Sequence, residues 1–194
     1  MPIAWPATLE PQEMTWGMTY NNRAFTSTLS NAQQIVGFPG AYWQCSLSFD
    51  GLSDRKERQL TALLGRLQGQ FGTVNLPAFT RRRSDDIGSP VVTMAEALAT
   101  TMLLRGVTPS LQAFRAGDYI TVAGVMYEIT DDATAGADGT VLVSLNRRIR
   151  QTVLSGTPVE YRNPSAEMRL TTDAYSLTRR PMVASGSIEL REAF

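Results

Sequence analysis

The sequence predicts a mainly β protein with one packed helix, whose first sheet is interrupted by an inserted small antiparallel β-barrel. Three observations carry this reading. Between Tyr42 and Phe49 the chain alternates, with Tyr42, Cys45, Leu47 and Phe49 set among Gln44, Ser46 and Ser48, which gives a strand one buried and one wet face. Leu60, Leu63, Leu64 and Leu67 then repeat at i, i+3, i+4, i+7, a single helical stripe that needs a sheet to lie against. Finally, residues 167–194 return to β patterning with no helix of their own. The simplest way to cover them is to let them complete the sheet begun at residues 18–50.

The elements follow in chain order. Residues 1–15 are Pro-rich and irregular, but Ile3, Trp5 and Leu9 are costly to leave in water, so this arm is expected to dock on a surface. A strand falls within Met18–Leu29, strongest at Ala24–Ser27, and a second is expected after a Pro39–Gly40 turn. Ser53 or Asp54 caps the helix, with Asp54 and Glu57 at capping-box spacing and Gly69 as its stop. Phe71, Val74, Leu76 and Phe79 read as the next strand, broken by Pro77. Arg81–Asp86 marks a boundary.

The inserted module covers residues 82–163. Asp118–Thr130 holds two short strands around Ala123–Gly124, residues 135–139 form a turn, Val141, Val143 and Leu145 alternate, and Thr157–Tyr161 is one more strand. The alanines and leucines of Met94–Leu104 favour a helix, yet the short length and Thr100–Thr101 favour a strand near Thr101–Gly106. Short strands at this spacing suggest a small barrel. The remainder, 1–80 with 165–194, is then one discontinuous domain. Because the boundary looks exposed, the insert is expected to be removable while the rest still folds.

Composition narrows function. The 18 basic and 18 acidic residues cancel, which removes the simplest argument for nucleic-acid binding. The chain has no histidine, so Ser-His-Asp catalysis, Cys-His catalysis and His-ligated metals are excluded. The lone Cys45 allows no internal disulfide and reads as a buried core thiol. Lys56 is the only lysine, the other 17 basic residues being arginine. Arginine is favoured at subunit interfaces, although a GC-rich genome has the same effect. The N-terminus lacks the pattern of a signal peptide, and no run approaches the ~20 apolar residues of a membrane span. A soluble protein made in a cytoplasm is expected.

Single motifs favour bland readings. Arg81, Arg82 and Arg83 suit phosphate, but Asp85 and Asp86 neutralise them at once, which points to a solvated linker or inter-subunit ion pairs. Arg147, Arg148 and Arg150 lack the aromatic interleaving of a single-strand binder. Asp131, Asp132 and Asp138 do not match an EF-hand, so a polar turn is the default. Trp5, Trp16, Trp43 and Tyr42 suit a sugar site or an interface, and a tryptophan on a Pro-rich arm favours the interface. No catalytic, cofactor-binding or metal-binding residue is assigned.

Gly40-Ala-Tyr-Trp-Gln-Cys-Ser-Leu-Ser-Phe49, Leu63-Leu64-x-x-Leu67-x-Gly69-Gln70-Phe71-Gly72, Leu76-Pro77, Ala116-Gly117-Asp118-Tyr119-Ile120 and Val125-Met126-Tyr127-Glu128-Ile129 resemble distal tail proteins and related tail-tip scaffolds of long-tailed, non-contractile bacteriophages. The resemblance spans most of the chain and rests on structural motifs. It implies a tail-tube-like β-sandwich for 1–80 with 165–194, a hexameric ring that joins the tail tube protein to the hub protein of the baseplate, and a lumen that DNA crosses without specific binding. It implies a virion location at the tail tip, reached through the host cytoplasm, with no cofactor, membrane or catalysis. Ile3, Trp5, Leu9, Arg81, Arg82 and Arg83 become the candidate subunit-interface residues. Two readings of other classes stand beside it. One is a carbohydrate-binding module that aids adsorption, and the other is a wall hydrolase working through carboxylates alone.

Overall fold

The protein is described by a computed structural model covering residues 2–193. Strand accounts for 49% of the chain and helix for 9%, which makes it mainly β. The first unit contains β1 (Ile3–Ala4), β2 (Glu13–Thr26), β3 (Gln33–Leu52), α1 (Asp54–Leu67) and β4 (Val74–Pro77). After a 3-10 turn at Phe79–Arg81 come the inserted strands β5 (Gly88–Met94), β6 (Thr101–Val107), β7 (Gln112–Phe114), β8 (Tyr119–Val122), β9 (Val125–Glu128), β10 (Ala133–Thr134), β11 (Val141–Ser144) and β12 (Val159–Glu160). The chain then returns through β13 (Ser165–Leu170), β14 (Thr178–Arg179) and β15 (Ala184–Glu192).

The returning strands join the first sheet, whose order is β1-β4-β13-β15-β3-β2, with β14 on β15. β15 lies antiparallel to β3, pairing Ile188 with Leu47 and Leu190 with Cys45. Alternation along β3 turns Trp43, Cys45, Leu47 and Phe49 inward, where they meet all four leucines of α1. Burial of each leucine contributes roughly 1.5–3 kcal/mol, which is why the helix lies on this face. The opposite face stays polar, with Gln44, Ser46, Ser187, Glu189 and Arg191 exposed.

Several local expectations change. Pro39–Gly40 is no turn: β3 runs through it, and the register passes from Thr19↔Tyr42 to Asn21↔Phe38. Tyr20 thus faces three residues, a bulge that Gly40 permits at φ 128° and that accommodates a proline lacking a donor. The actual reversal is at Ser27–Ala32, closed by Ser27 N–H donating to the Ala32 carbonyl at 2.9 Å. The capping box at α1 is also absent, since Ser53 makes no side-chain cap bond. Asp54 and Glu57 instead accept from Arg179 at 2.8 and 3.0 Å. The helix ends at Leu67, and Phe71 is excluded from the next strand. Gly72 N–H turns back to the Leu67 carbonyl at 2.8 Å, leaving Phe71 86% exposed.

The insert is built on a second core containing Val92, Leu104, Phe114, Ile120, Tyr127, Val143 and Ile149. Its strands form sheets β11-β6-β5, β12-β8-β9 and β10-β7. None of them closes into a barrel, so the expected barrel is replaced by small sheets over one core. Isolated bridges Val91↔Pro158 and Ile129↔Leu145 join the edges of the two three-stranded sheets. Strands this short and bent do not sustain a continuous ladder around the ring. The strand expected near Thr101–Gly106 is β6.

Candidate functional site

Of the apolar arm residues, Trp5 and Leu9 are buried within their own chain and Ile3 is partly buried against the same core. β1 pairs in parallel with β4, Ile3 opposite Val74. Trp5 and Leu9 are 8% and 0% exposed, and the Trp5 indole N–H donates to the Leu9 carbonyl at 2.5 Å. The Trp5 ring stacks on Phe49 at 6.4 Å and meets Phe79 edge-on at 6.3 Å. Trp5 and Leu9 are therefore covered by their own chain, where an interface role was expected of them.

The three arginines of the boundary are also held within the chain. Arg82 reaches back to Glu10 of the arm at 2.7 Å and lies over the Phe79 ring. Arg83 forks between Asp85 and Asp118, the latter at 2.7 Å. The bond from Arg83 holds the Asp85 carboxyl below the usual carboxylate range. Arg81 sits over the Tyr119 ring at 5.4 Å. Arg82 thus ties the boundary to the arm, while Arg81 and Arg83 tie it to the insert.

A second, buried junction escapes sequence reading. Arg147 of the insert and Glu192 of β15 are each 4% exposed. Their fork–fork pair measures 2.5 and 2.8 Å. Arg147 also donates to the carbonyls of Ala41 and Met126 at 3.1 and 2.6 Å. Glu192 accepts from Trp43 N–H at 3.0 Å, and the Trp43 indole N–H reaches the Met126 carbonyl at 2.9 Å. Arg150 adds bonds to Ala41 at 2.7 Å and to Glu192. Burial lowers the pKa of Arg150, with Glu192 opposing the shift. The basic cluster at 147–150 was visible in sequence. Its anion was not, although Glu192 is in phase with the inward Ile188 and Leu190, because a glutamate at the end of a strand is ordinarily solvated whatever its phase.

The other candidates resolve locally. Trp43 is 2% exposed and is held between Trp16, edge-on at 5.7 Å, and Tyr119 at 5.3 Å, so the tryptophans form no open sugar platform. Asp132 accepts from Ala116 N–H and Gln112, and Asp138 from Thr140, as turn residues do. Among the described residues no three metal-binding side chains gather, and no helix is long and apolar enough to cross a membrane. Burial pushes the Cys45 thiol up to about 12, so it is a core group and not a nucleophile.

What remains open is the distal hairpin of β2 and β3. It is fully paired from Asn21↔Phe38 to Thr26↔Gln33, yet every residue from Tyr20 to Ile35 is exposed. Tyr20, Phe25, Leu29, Ile35 and Phe38 are 53%, 58%, 98%, 65% and 45% exposed. β2 is also an edge strand, paired among the described residues with β3 alone.

The fold and this surface define a mainly β protein of two cores locked by buried ions, with a projecting apolar hairpin. No protein-family model and no curated protein matches the chain.

Proposed function

We propose that the chain is a structural ring subunit of a phage tail tip, joining the tail tube to the hub of the baseplate around a lumen for DNA, and that it is not an enzyme. The observation that carries self-assembly is the projecting hairpin. Two strands alone are marginally stable in water, and this pair holds five large apolar side chains out of the core. A long open edge on β2 adds unpaired backbone groups that invite a partner. Exposed apolar patches of this kind mark protein interfaces. The tail-tip assignment rests on the sequence resemblance. The polar sheet face with Gln44, Ser46 and Ser187 suits a lumen that passes DNA without gripping it.

The assembly predicted is a closed cyclic oligomer, a hexamer by the same resemblance. Light scattering on the full chain, followed by imaging of assembled tails along their axis, tests it. Six copies around an axial channel are expected. A peripheral, monomeric copy, or turnover of cell-wall material by the purified chain, would overturn the reading.

A further inference from the structure

We propose that the hairpin of one copy seats in a groove at the unit junction of the next copy, with Arg23 of the hairpin against Glu167 in the groove. This rests on the self-assembly proposed above and names the two surfaces that meet.

The register of the hairpin sorts its side chains into two faces. Asn21, Arg23 and Phe25 oppose Phe38, Val36 and Gln34 and share one face with them. That face carries both phenylalanines and Val36. The other carries Asn22, Ala24 and Thr26 opposite Gly37, Ile35 and Gln33, with less apolar bulk. Arg23 is the only charged residue between Tyr20 and Phe38, is exposed, and sits amid the apolar face. The hairpin therefore presents an apolar surface with one cation.

The groove has the complementary character. It encloses about 480 Å³ between the β8–β9 turn, the loop at Val153 and Leu154, and β13. Ala123, Val125, Val153 and Leu154 supply apolar walls, and Leu154 is 80% exposed. Its charged residues are Arg150, Glu192 and Glu167. Arg150 and Glu192 face each other at 3.3 Å. Among the described residues no hydrogen bond or ion pair engages the Glu167 carboxylate. One cation on an apolar arm thus matches one anion in an apolar groove.

The alternative of arm against arm is disfavoured by charge. It would bring two Arg23 side chains onto surfaces that carry no anion, and like charges facing each other suppress association. Arm into groove joins two different surfaces. That is a head-to-tail contact, which closes into a ring or runs on as a filament, whereas an arm-to-arm contact stops at two copies.

Charge reversal in the full chain tests the contact. The variants are Arg23→Glu, Glu167→Arg and the two combined, with Arg23→Gln and Glu167→Gln as milder changes and thermal melts to verify folding. Self-association is read by sedimentation. Each reversal should weaken association by about tenfold or more, and the combination should recover most of the loss. Separately, Arg23→Cys and Glu167→Cys proteins, treated with a short bis-maleimide, should link only when mixed, since Cys45 is buried. If the wild type assembles but the reversals leave association unchanged, or if Arg23→Cys links to itself, this contact is wrong and self-assembly stands. A wild type that stays monomeric at every concentration overturns both.

Discussion

Arg147 and Glu192 stand 45 residues apart in the chain and meet in a buried fork–fork ion pair. One belongs to the insert and the other to the last strand of the discontinuous sheet. Their contact therefore welds two cores that sequence reading treated as separable. Both carboxylate oxygens accept further bonds, Oε2 from Trp43 N–H and both from Arg150, which offsets the cost of burying the pair, although among the described residues the buried Arg147 Nε–H has no hydrogen-bond partner.

Removing one partner should be costly. Glu192→Ala leaves the Arg147 charge buried and uncompensated, and a loss of about 3–5 kcal/mol is expected in urea unfolding. Replacing both Arg147 and Glu192 by methionine should cost less than the two single losses added together, because no orphaned charge remains at that pair. Single changes that cost under about 0.5 kcal/mol, as surface positions do, would place the pair in solvent.

Deletion of residues 87–162 should not leave a folded remainder, contrary to the expectation from the exposed boundary. The first core includes Tyr119 and Met126 of the insert. Trp43 would lose the Met126 carbonyl and Glu192 both of its arginines. Circular dichroism through a thermal melt is the check. A soluble deletion protein with a cooperative transition would show that the insert is dispensable.

The arm should behave as core. Trp5→Ala is expected to cost about 3–5 kcal/mol and Leu63→Ala about 2–5 kcal/mol, as truncations at buried positions do. If Trp5→Ala reduced assembly while leaving the unfolding midpoint unchanged, the arm would belong to the interface after all.

Cys45 sets an alkaline signature. Its folded pKa is raised by burial to about 12, above the ordinary thiol value near ~8.5. The folded state therefore keeps a proton that the unfolded chain releases. The stabilising contribution is complete below about pH 8.5 and declines as pH rises toward 12. Stability of the wild type should fall faster than that of Cys45→Ala over that window. Alkylation by iodoacetamide at pH 8 should require unfolding, and rapid labelling of folded protein would contradict the burial.

By itself the sequence determined the mainly β class, the buried faces of β3 and α1, the returning terminal strands and the position of the insert. Each of these follows from local periodicity, and periodicity is written residue by residue. Leu60, Leu63, Leu64 and Leu67 announce a buried stripe whatever they lie against. The tertiary structure alone decided what covers Trp5 and Leu9, how the small sheets of the insert meet, that Pro39–Gly40 is a bulge, and that Glu192 points inward to two arginines. Those outcomes depend on partners far away in the chain. An apolar arm reads the same whether its own core or a neighbour covers it, and a glutamate in phase with inward residues such as Ile188 and Leu190 still reads as solvated by its charge until its cation is placed. The projecting hairpin belongs to the same class. The sequence marks one strand near Ala24–Ser27 and the next only after Pro39–Gly40, so the fold alone shows the pairing of 21–26 with 33–38 and that among the described residues nothing covers it.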